Sequence, residues 1–112
     1  MSDCIFCQIA NGEIAVPLIY EDERVVAFDD ISPQAPVHTL IVPKVHVANL
    51  NDDPDPELLA AILAAAPAVA ELKGVRESGY RVIQNNGADA GQTVMHLHVH
   101  VLGGTSLGEG LV

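Results

Sequence analysis

The sequence is poor in basic residues. It has five lysines and arginines against fifteen aspartates and glutamates, which gives a net charge of −10. Proteins that bind nucleic-acid polymers neutralise phosphates with lysine and arginine. We therefore expect no nucleic-acid polymer as partner, although backbone N–H groups and histidines can still hold a small anion.

The sequence also lacks a long apolar run. The longest one, from Leu58 to Ala70, is too short to span a bilayer and contains Pro67. The first residues, M-S-D-C-I-F-C, have no basic segment ahead of an apolar one, so no secretory signal is predicted. We expect a cytoplasmic protein without a membrane partner, in which Cys4 and Cys7 stay reduced.

Two cysteines are too few for a disulfide scaffold, and the chain does not need one. Its 112 residues are 49% apolar and 18% charged. A chain of this length and composition buries a core of its own. We predict a single domain over residues 1–112.

Several segments have the apolar patterns and flanking turn residues of β-strands. We predict a hairpin at 17–29 and further strands at 38–43, 80–84 and 94–102. The short connections suit antiparallel pairing.

One helix is predicted between the third and fourth strands. Asp55 is a suitable N-cap, Pro56 suits the first helical position, and Gly74 is a natural stop. Pro67 is expected to kink or divide this helix, because proline lacks the N–H that the helix interior requires. Strands followed by a helix and two more strands predict the α+β class.

Three of the five histidines stand at alternate positions, in M-H-L-H-V-H-V-L-G-G. Residues two apart point to the same face of a strand. A strand over 94–102 would therefore present His96, His98 and His100 in one row. A core strand that merely tolerates three histidines is the alternative. The loop before it, N-N-G-A-D-A-G-Q, is glycine-rich and could hold an anion, although most such loops are simple turns.

The chain resembles the histidine triad (HIT) superfamily of nucleotide hydrolases and transferases. The signature H-φ-H-φ-H-φ-φ, with φ apolar, is met over residues 96–102. Other segments resemble the Hint branch, the histidine triad nucleotide-binding proteins. They are C-I-F-C-Q-I, F-D-D-I-S-P-Q-A-P-V-H, I-V-P-K-V-H, N-N-G-A-D-A-G-Q-T and H-V-L-G-G. The resemblance runs in order from Cys4 to about Gly104.

The resemblance implies a HIT-like fold, a homodimer and a mechanism. The fold is an antiparallel sheet of about five strands flanked by one main helix and short helices. His98 would attack the α-phosphorus of a nucleotide and form a covalent nucleotidyl-histidine, which water then hydrolyses. A backbone carbonyl would fix the tautomer of His98, and His100 would contact the phosphate oxygens. His38 would support the triad by hydrogen bonding, and no catalytic cofactor is required.

The resemblance also implies which residues bind the purine nucleotide. Asp30 would take the ribose hydroxyls, while Asn85, Gly91 and Thr93 would contact the phosphate and leaving group. Thr93 replaces a serine that is common at this position. An apolar pocket would enclose the purine, although each of its side chains could equally be ordinary core: Ile5, Phe6, Ile9, Phe28, Ile31 and Leu40.

The pair Cys4-x-x-Cys7 has three interpretations. Two cysteines at this spacing can bind Zn²⁺, and a closed tetrahedral site needs two more ligands. His46 and His96 are the candidates, and related proteins hold a structural zinc with this combination. Two inert thiols or a redox pair are the alternatives, but a redox motif lacks its usual βαβ context here.

The resemblance implies a purine nucleoside phosphoramidase, which cleaves adenosine 5′-monophosphoramidates to AMP and an amine. The alternatives are a purine-nucleotide-binding regulatory protein with slow or incidental catalysis and a dinucleoside polyphosphate hydrolase. One departure concerns specificity: the tail T-S-L-G-E-G-L-V has no tryptophan or proline, unlike the usual ending of Hint relatives.

Overall fold

The fold is a five-stranded antiparallel sheet with one main helix. A computed structural model describes residues 3–111 of the chain. The strands stand in the order β1-β2-β3-β5-β4. Their bounds are β1 Tyr20–Glu21, β2 Val25–Asp29, β3 Val37–Pro43, β4 Tyr80–Ile83 and β5 Val99–Gly103. The predicted α+β class is confirmed.

Two α-helices flank the sheet. The short helix α1 is Ile5–Ala10 and the main helix α2 is Pro56–Leu72; single 3₁₀ turns lie at Leu50–Asp52 and Ala88–Ala90. The predicted start of α2 is confirmed, since an oxygen of Asp55 accepts the N–H of Glu57 at 3.1 Å. In residues 3–111, no helix is long and apolar enough to cross a membrane.

The expected division of the helix at Pro67 is wrong, because α2 runs on without interruption to Leu72, and the alternative of a kink stays a prediction. A proline at position 67 leaves the carbonyl of Leu63 without its helical partner. Leu63 is 60% exposed, so this turn of the helix borders solvent. The helix therefore tolerates the proline although Pro67 itself is half-buried.

The predicted start of the histidine strand, residue 94, is wrong, because the strand begins at Val99. Only His100 lies within β5, which starts at Val99, while His96 and His98 precede it in irregular structure. The partner strand β3 ends at Pro43, and proline has no N–H to continue the ladder. The segment instead bonds to the chain beyond β3: the N–H of Leu97 donates to the carbonyl of Val47 at 2.7 Å.

The two faces of the sheet carry different layers. On one face, α2 packs against a buried cluster that includes Val25, Ile41 and Val101. On the other face, α1 packs against Val26, Phe28, Leu40 and Val42. His100 pairs with Leu40 in the register of β3 and β5 and therefore lies on the α1 face. The main helix buries one face and leaves the histidines on the other.

Candidate active site and metal-binding cluster

The orientation of the His98 ring is fixed by a hydrogen bond to the backbone. Its Nδ1 lies 2.7 Å from the carbonyl oxygen of His96. A carbonyl oxygen only accepts, so Nδ1 carries the proton and Nε2 keeps its lone pair. His98 is buried, with 8% of its surface exposed. The arrangement presents an unprotonated ring nitrogen that can act as a nucleophile.

A chain of hydrogen bonds orders the protons of His38 and His100. The backbone N–H of Gln34 donates to Nδ1 of His38 at 3.0 Å, and Nε2 of His38 lies 2.8 Å from Nδ1 of His100. Because Nδ1 of His38 accepts, its Nε2 carries the proton and donates to His100. Nδ1 of His100 then accepts, and its Nε2–H remains to donate to a ligand.

Burial lowers the pKa of His100 to about 4, with smaller contributions from the neighbouring His98 and His38; Asp30 acts in the opposite direction. At neutral pH the ring is therefore uncharged. A neutral imidazole N–H donates a hydrogen bond but does not readily release its proton. His100 is thus suited to stabilise phosphate oxygens rather than to protonate a leaving group.

Asp30 lies beside the hydrogen-bonded pair His38 and His100. Its Oδ1 accepts the N–H of Ser32 at 2.8 Å, and its Oδ2 is 3.5 Å from Nε2 of His38. Donor atoms of Asp30, His38 and His100 lie within 4.8 Å of one another. A metal there would need the nitrogen of His38 that carries its proton. The set is better described as a hydrogen-bonded chain than as a metal site.

Phe6 brings α1 into contact with His98. Its ring stands edge-on to that of His98, with the centroids 5.1 Å apart, and it also contacts His96 and Phe28. Phe6 is buried in a cluster with three other predicted pocket residues, Ile9, Phe28 and Leu40. The last two predicted pocket residues, Ile5 and Ile31, are 48% and 99% exposed. The purine pocket stays a prediction, and its four buried members also form core.

The predicted phosphate-contacting residues lie on the segment between β4 and β5. Asn85 is half-buried, Thr93 is exposed, and Gly91 has a φ of +87° that ends a 3₁₀ turn. A left-handed backbone of this kind favours glycine. The roles of these three residues stay predictions.

The burial of one glutamine in this segment was not predicted from the sequence. Oε1 of Gln92 accepts from the side-chain amide of Asn49 and from the N–H of Gly87 at 3.0 and 2.9 Å. Its Nε2 donates to the carbonyls of Ala48 and Val94 at 2.8 and 3.0 Å. Gln92 therefore ties the loop before the histidines to the loop after β3. No spacing or periodicity marks a buried amide of this kind.

The second cluster contains both cysteines. Donor atoms of Cys4, Cys7, His46 and His96 all lie within 4.8 Å of one another. Nδ1 of His96 is 3.3 Å from Sγ of Cys4, 3.4 Å from Sγ of Cys7 and 3.2 Å from Nδ1 of His46. Sγ of Cys7 is 3.2 Å from Nδ1 of His46. The fold thus brings together four residues that are up to 92 positions apart.

These separations fit a tetrahedral zinc. Ligand atoms held about 2.0 to 2.3 Å from such an ion lie about 3.3 to 3.8 Å from one another. Nε2 of His96 donates to the carbonyl of Pro43 at 2.8 Å, which leaves the lone pair of Nδ1 inside the cluster. Burial lowers the pKa of His96, and the hydrogen bond to Pro43 acts in the opposite direction. The net lowering keeps the ring neutral. The four ligand atoms and the unprotonated Nδ1 of His96 both suit a metal ion.

Comparison with known proteins gives concordant matches. The family model of the HIT domain matches residues 11–107. The purine nucleoside phosphoramidase of Escherichia coli K12 is 42% identical over 108 residues, which cover 95% of this chain and 91% of that protein. The solved structure of a HIT family hydrolase from Clostridium thermocellum is 47% identical, with a TM-score of 0.94 over 100% of this chain and 99% of that chain. A HIT family hydrolase from Legionella pneumophila is also 47% identical, with a TM-score of 0.90 over 96% of this chain and 97% of that chain.

Proposed function

Because the chain belongs to the HIT domain family, we propose that it is a nucleotide hydrolase that cleaves purine nucleoside phosphoramidates to a nucleoside monophosphate and an amine. The family and the similarity to the phosphoramidase of Escherichia coli support hydrolysis of a nucleotide. The observation that carries the proposal is the hydrogen bond from His98 to the carbonyl of His96. That bond aims a lone pair, rather than a proton, at the substrate.

The proposed reaction has two steps at the α-phosphorus. In the first, Nε2 of His98 forms a bond to phosphorus while the bond from phosphorus to the amine breaks. In the second, water attacks phosphorus and gives up a proton to the solvent while the bond to Nε2 breaks, which releases the nucleoside monophosphate and restores the ring. Throughout, Nδ1–H of His98 donates to the carbonyl of His96 and offsets the positive charge that develops on the ring.

His100 stabilises the negative charge of the transition state in this proposal. Its Nε2–H donates to a phosphoryl oxygen, since the bond from His38 occupies Nδ1. The departing amine takes its proton from water, because His100 is neutral at the pH of the reaction. Asp30 lies beside His38 and the buried Phe6 contacts His98, and the two are proposed to hold the ribose and the purine.

A structural zinc ion belongs to the proposal, with Cys4, Cys7, His46 and His96 as its ligands. The cluster geometry supports it, and zinc at such a closed site stabilises the fold rather than taking part in the reaction. Reduced thiols at the site agree with the predicted cytoplasmic location. A homodimer is proposed as well.

The test compares wild type with His98→Ala on an adenosine 5′-phosphoramidate. We expect turnover to fall about 10³-fold or more in the variant, because the nucleophile is gone. Binding of AMP, measured by calorimetry, should persist. Equal turnover by both proteins would show that the reaction does not depend on His98. Absence of turnover by wild type on phosphoramidates and diadenosine polyphosphates alike, with AMP still bound, would favour a regulatory binding protein.

A further inference from the structure

The nucleophile and the metal-binding cluster share a residue. His96 directs its ring into the cluster with Cys4, Cys7 and His46, while its backbone carbonyl holds Nδ1–H of His98. The ring is anchored on its other side by the carbonyl of Pro43 at 2.8 Å. A carbonyl is positioned by the φ and ψ angles of its residue. Anything that fixes the side chain of His96 therefore also restrains the group that orients His98.

The short helix α1 makes a second connection. Cys4 caps this helix, its Sγ accepting the N–H of Cys7 at 3.4 Å, and Cys7 lies in the first turn. Phe6, between the two cysteines, stands against the ring of His98 with the centroids 5.1 Å apart. A six-residue helix is too short to be stable by itself in water. Attachment of its two cysteines to a bound ion would hold Phe6 in place.

We propose that a metal ion bound by Cys4, Cys7, His46 and His96 positions the nucleophile His98, through the carbonyl of His96 and through Phe6 on α1. His96 and Phe6 are positioning residues in this scheme, and the ion does not touch the substrate. The inference rests on the proposed function, because it takes His98 as the nucleophile. It goes further, because it makes the loading of the cluster a condition for full activity and not only for stability.

The test reads the tautomer of His98 directly. The full chain, labelled with ¹⁵N, is studied by long-range ¹H–¹⁵N NMR after loading with one equivalent of Zn²⁺ and again after removal of the metal with a chelator. In the loaded chain we expect a single tautomer of His98 with the proton on Nδ1. In the metal-free chain we expect shifts averaged between the two tautomers and weaker nuclear Overhauser effects between Phe6 and His98.

Kinetics on an adenosine 5′-phosphoramidate supply a second measurement. We expect kcat to fall about 10- to 100-fold on metal removal, as it does when groups that orient active-site ligands are lost, with KM changing little. The variant Phe6→Leu should keep one equivalent of zinc and reduce kcat in part, whereas loss of a purine contact alone would raise KM and leave kcat unchanged. If metal removal unfolds the chain, the variant His46→Asn weakens metal binding with less effect on the fold. His46 is exposed and lies outside the segment that holds His98.

Two results would overturn the inference. One is a fixed Nδ1–H tautomer of His98 in a folded metal-free chain, which would confine the ion to stabilising the fold. The other is an unchanged kcat at full loss of zinc. A chain that turns over no phosphoramidate in either state would refute the proposed function instead, and the tautomer measurement would still decide the inference.

Discussion

One backbone N–H determines what His100 offers to a ligand. Because Gln34 donates to Nδ1 of His38, the proton of that ring lies on Nε2 and is donated to Nδ1 of His100. The proton of His100 therefore also lies on its Nε2. The result is an outward N–H on a neutral ring. Had the order been reversed, His100 would present a lone pair, which would repel phosphate oxygens.

We expect the low pKa of His100 to make the fold sensitive to acid. Its pKa is about 4 in the folded chain and near 6.5 when the chain is unfolded. Between these values the unfolded state binds more protons, so the free energy of unfolding falls as the pH is lowered from about 6.5 to about 4. Above about 6.5 this contribution is fully present. Urea unfolding at a series of pH values measures the effect.

The variant His100→Gln isolates this contribution from those of the other histidines. Glutamine does not titrate, so the variant should lose less free energy of unfolding than wild type over the same pH range. NMR titration of wild type should give a pKa of about 4 for His100. The same pH dependence in both proteins, or a measured pKa near 6.5, would contradict the assignment.

The sequence suggested candidate site residues, but it did not indicate which ring nitrogen of each histidine carries the proton. Spacing made the three alternate histidines and the pair Cys4 and Cys7 candidates, and resemblance added His38 and Asp30; their roles stay predictions. The tautomers depend on single contacts with Gln34, Pro43 and the carbonyl of His96, which only the folded chain brings together. No pattern in one sequence encodes such contacts.

At the scale of elements, the two predictions that failed each concern a proline. The hairpin, the third and fourth strands and the start of α2 agree with the structure. The β5 strand starts at Val99 and not at residue 94, because Pro43 ends the ladder on β3. Helix α2 continues through Pro67 to Leu72, and Leu63, whose carbonyl loses its helical partner there, is 60% exposed.

We expect Pro67→Ala to stabilise the protein. Alanine restores the N–H that can donate to the carbonyl of Leu63, and proline in a helix interior costs up to about 3 kcal/mol relative to alanine. Part of that gain is offset by the greater freedom of the unfolded chain, so an increase of about 1 to 2 kcal/mol in the free energy of unfolding is expected. Thermal and urea unfolding measure it.

The neighbouring position supplies a matched control. Ala68→Gly should lower the free energy of unfolding by about 1 kcal/mol, because glycine is the weaker helix former. Pro67 is half-buried, so its ring could also contribute packing. A Pro67→Ala variant that is less stable than wild type would show that this packing outweighs the restored hydrogen bond.

At the scale of the whole molecule, helices pack on both faces of the sheet, and its two edge strands are β1, of two residues, and β4, of four. Strand β4 is the last in the order, so one side of its backbone has no strand partner among residues 3–111. Val82 on this strand is 38% exposed. A groove of about 150 Å³, lined mostly by apolar side chains that include Leu63 and Leu97, reaches Gln84 just beyond β4. An exposed strand edge beside apolar surface favours pairing with another strand.

We expect two copies to pair through β4 into one continuous sheet, which would form the proposed homodimer. Light scattering should then give twice the chain mass of 11.8 kDa. Val82→Lys places a charge in the pairing edge, and the dimer should dissociate at least about 10-fold more readily, which corresponds to about 1.4 kcal/mol. The control is Leu18→Lys, because Leu18 is 40% exposed and lies just before β1, at the opposite edge of the sheet. If both variants keep the wild-type mass, or if Leu18→Lys alone dissociates the dimer, the copies do not meet at β4.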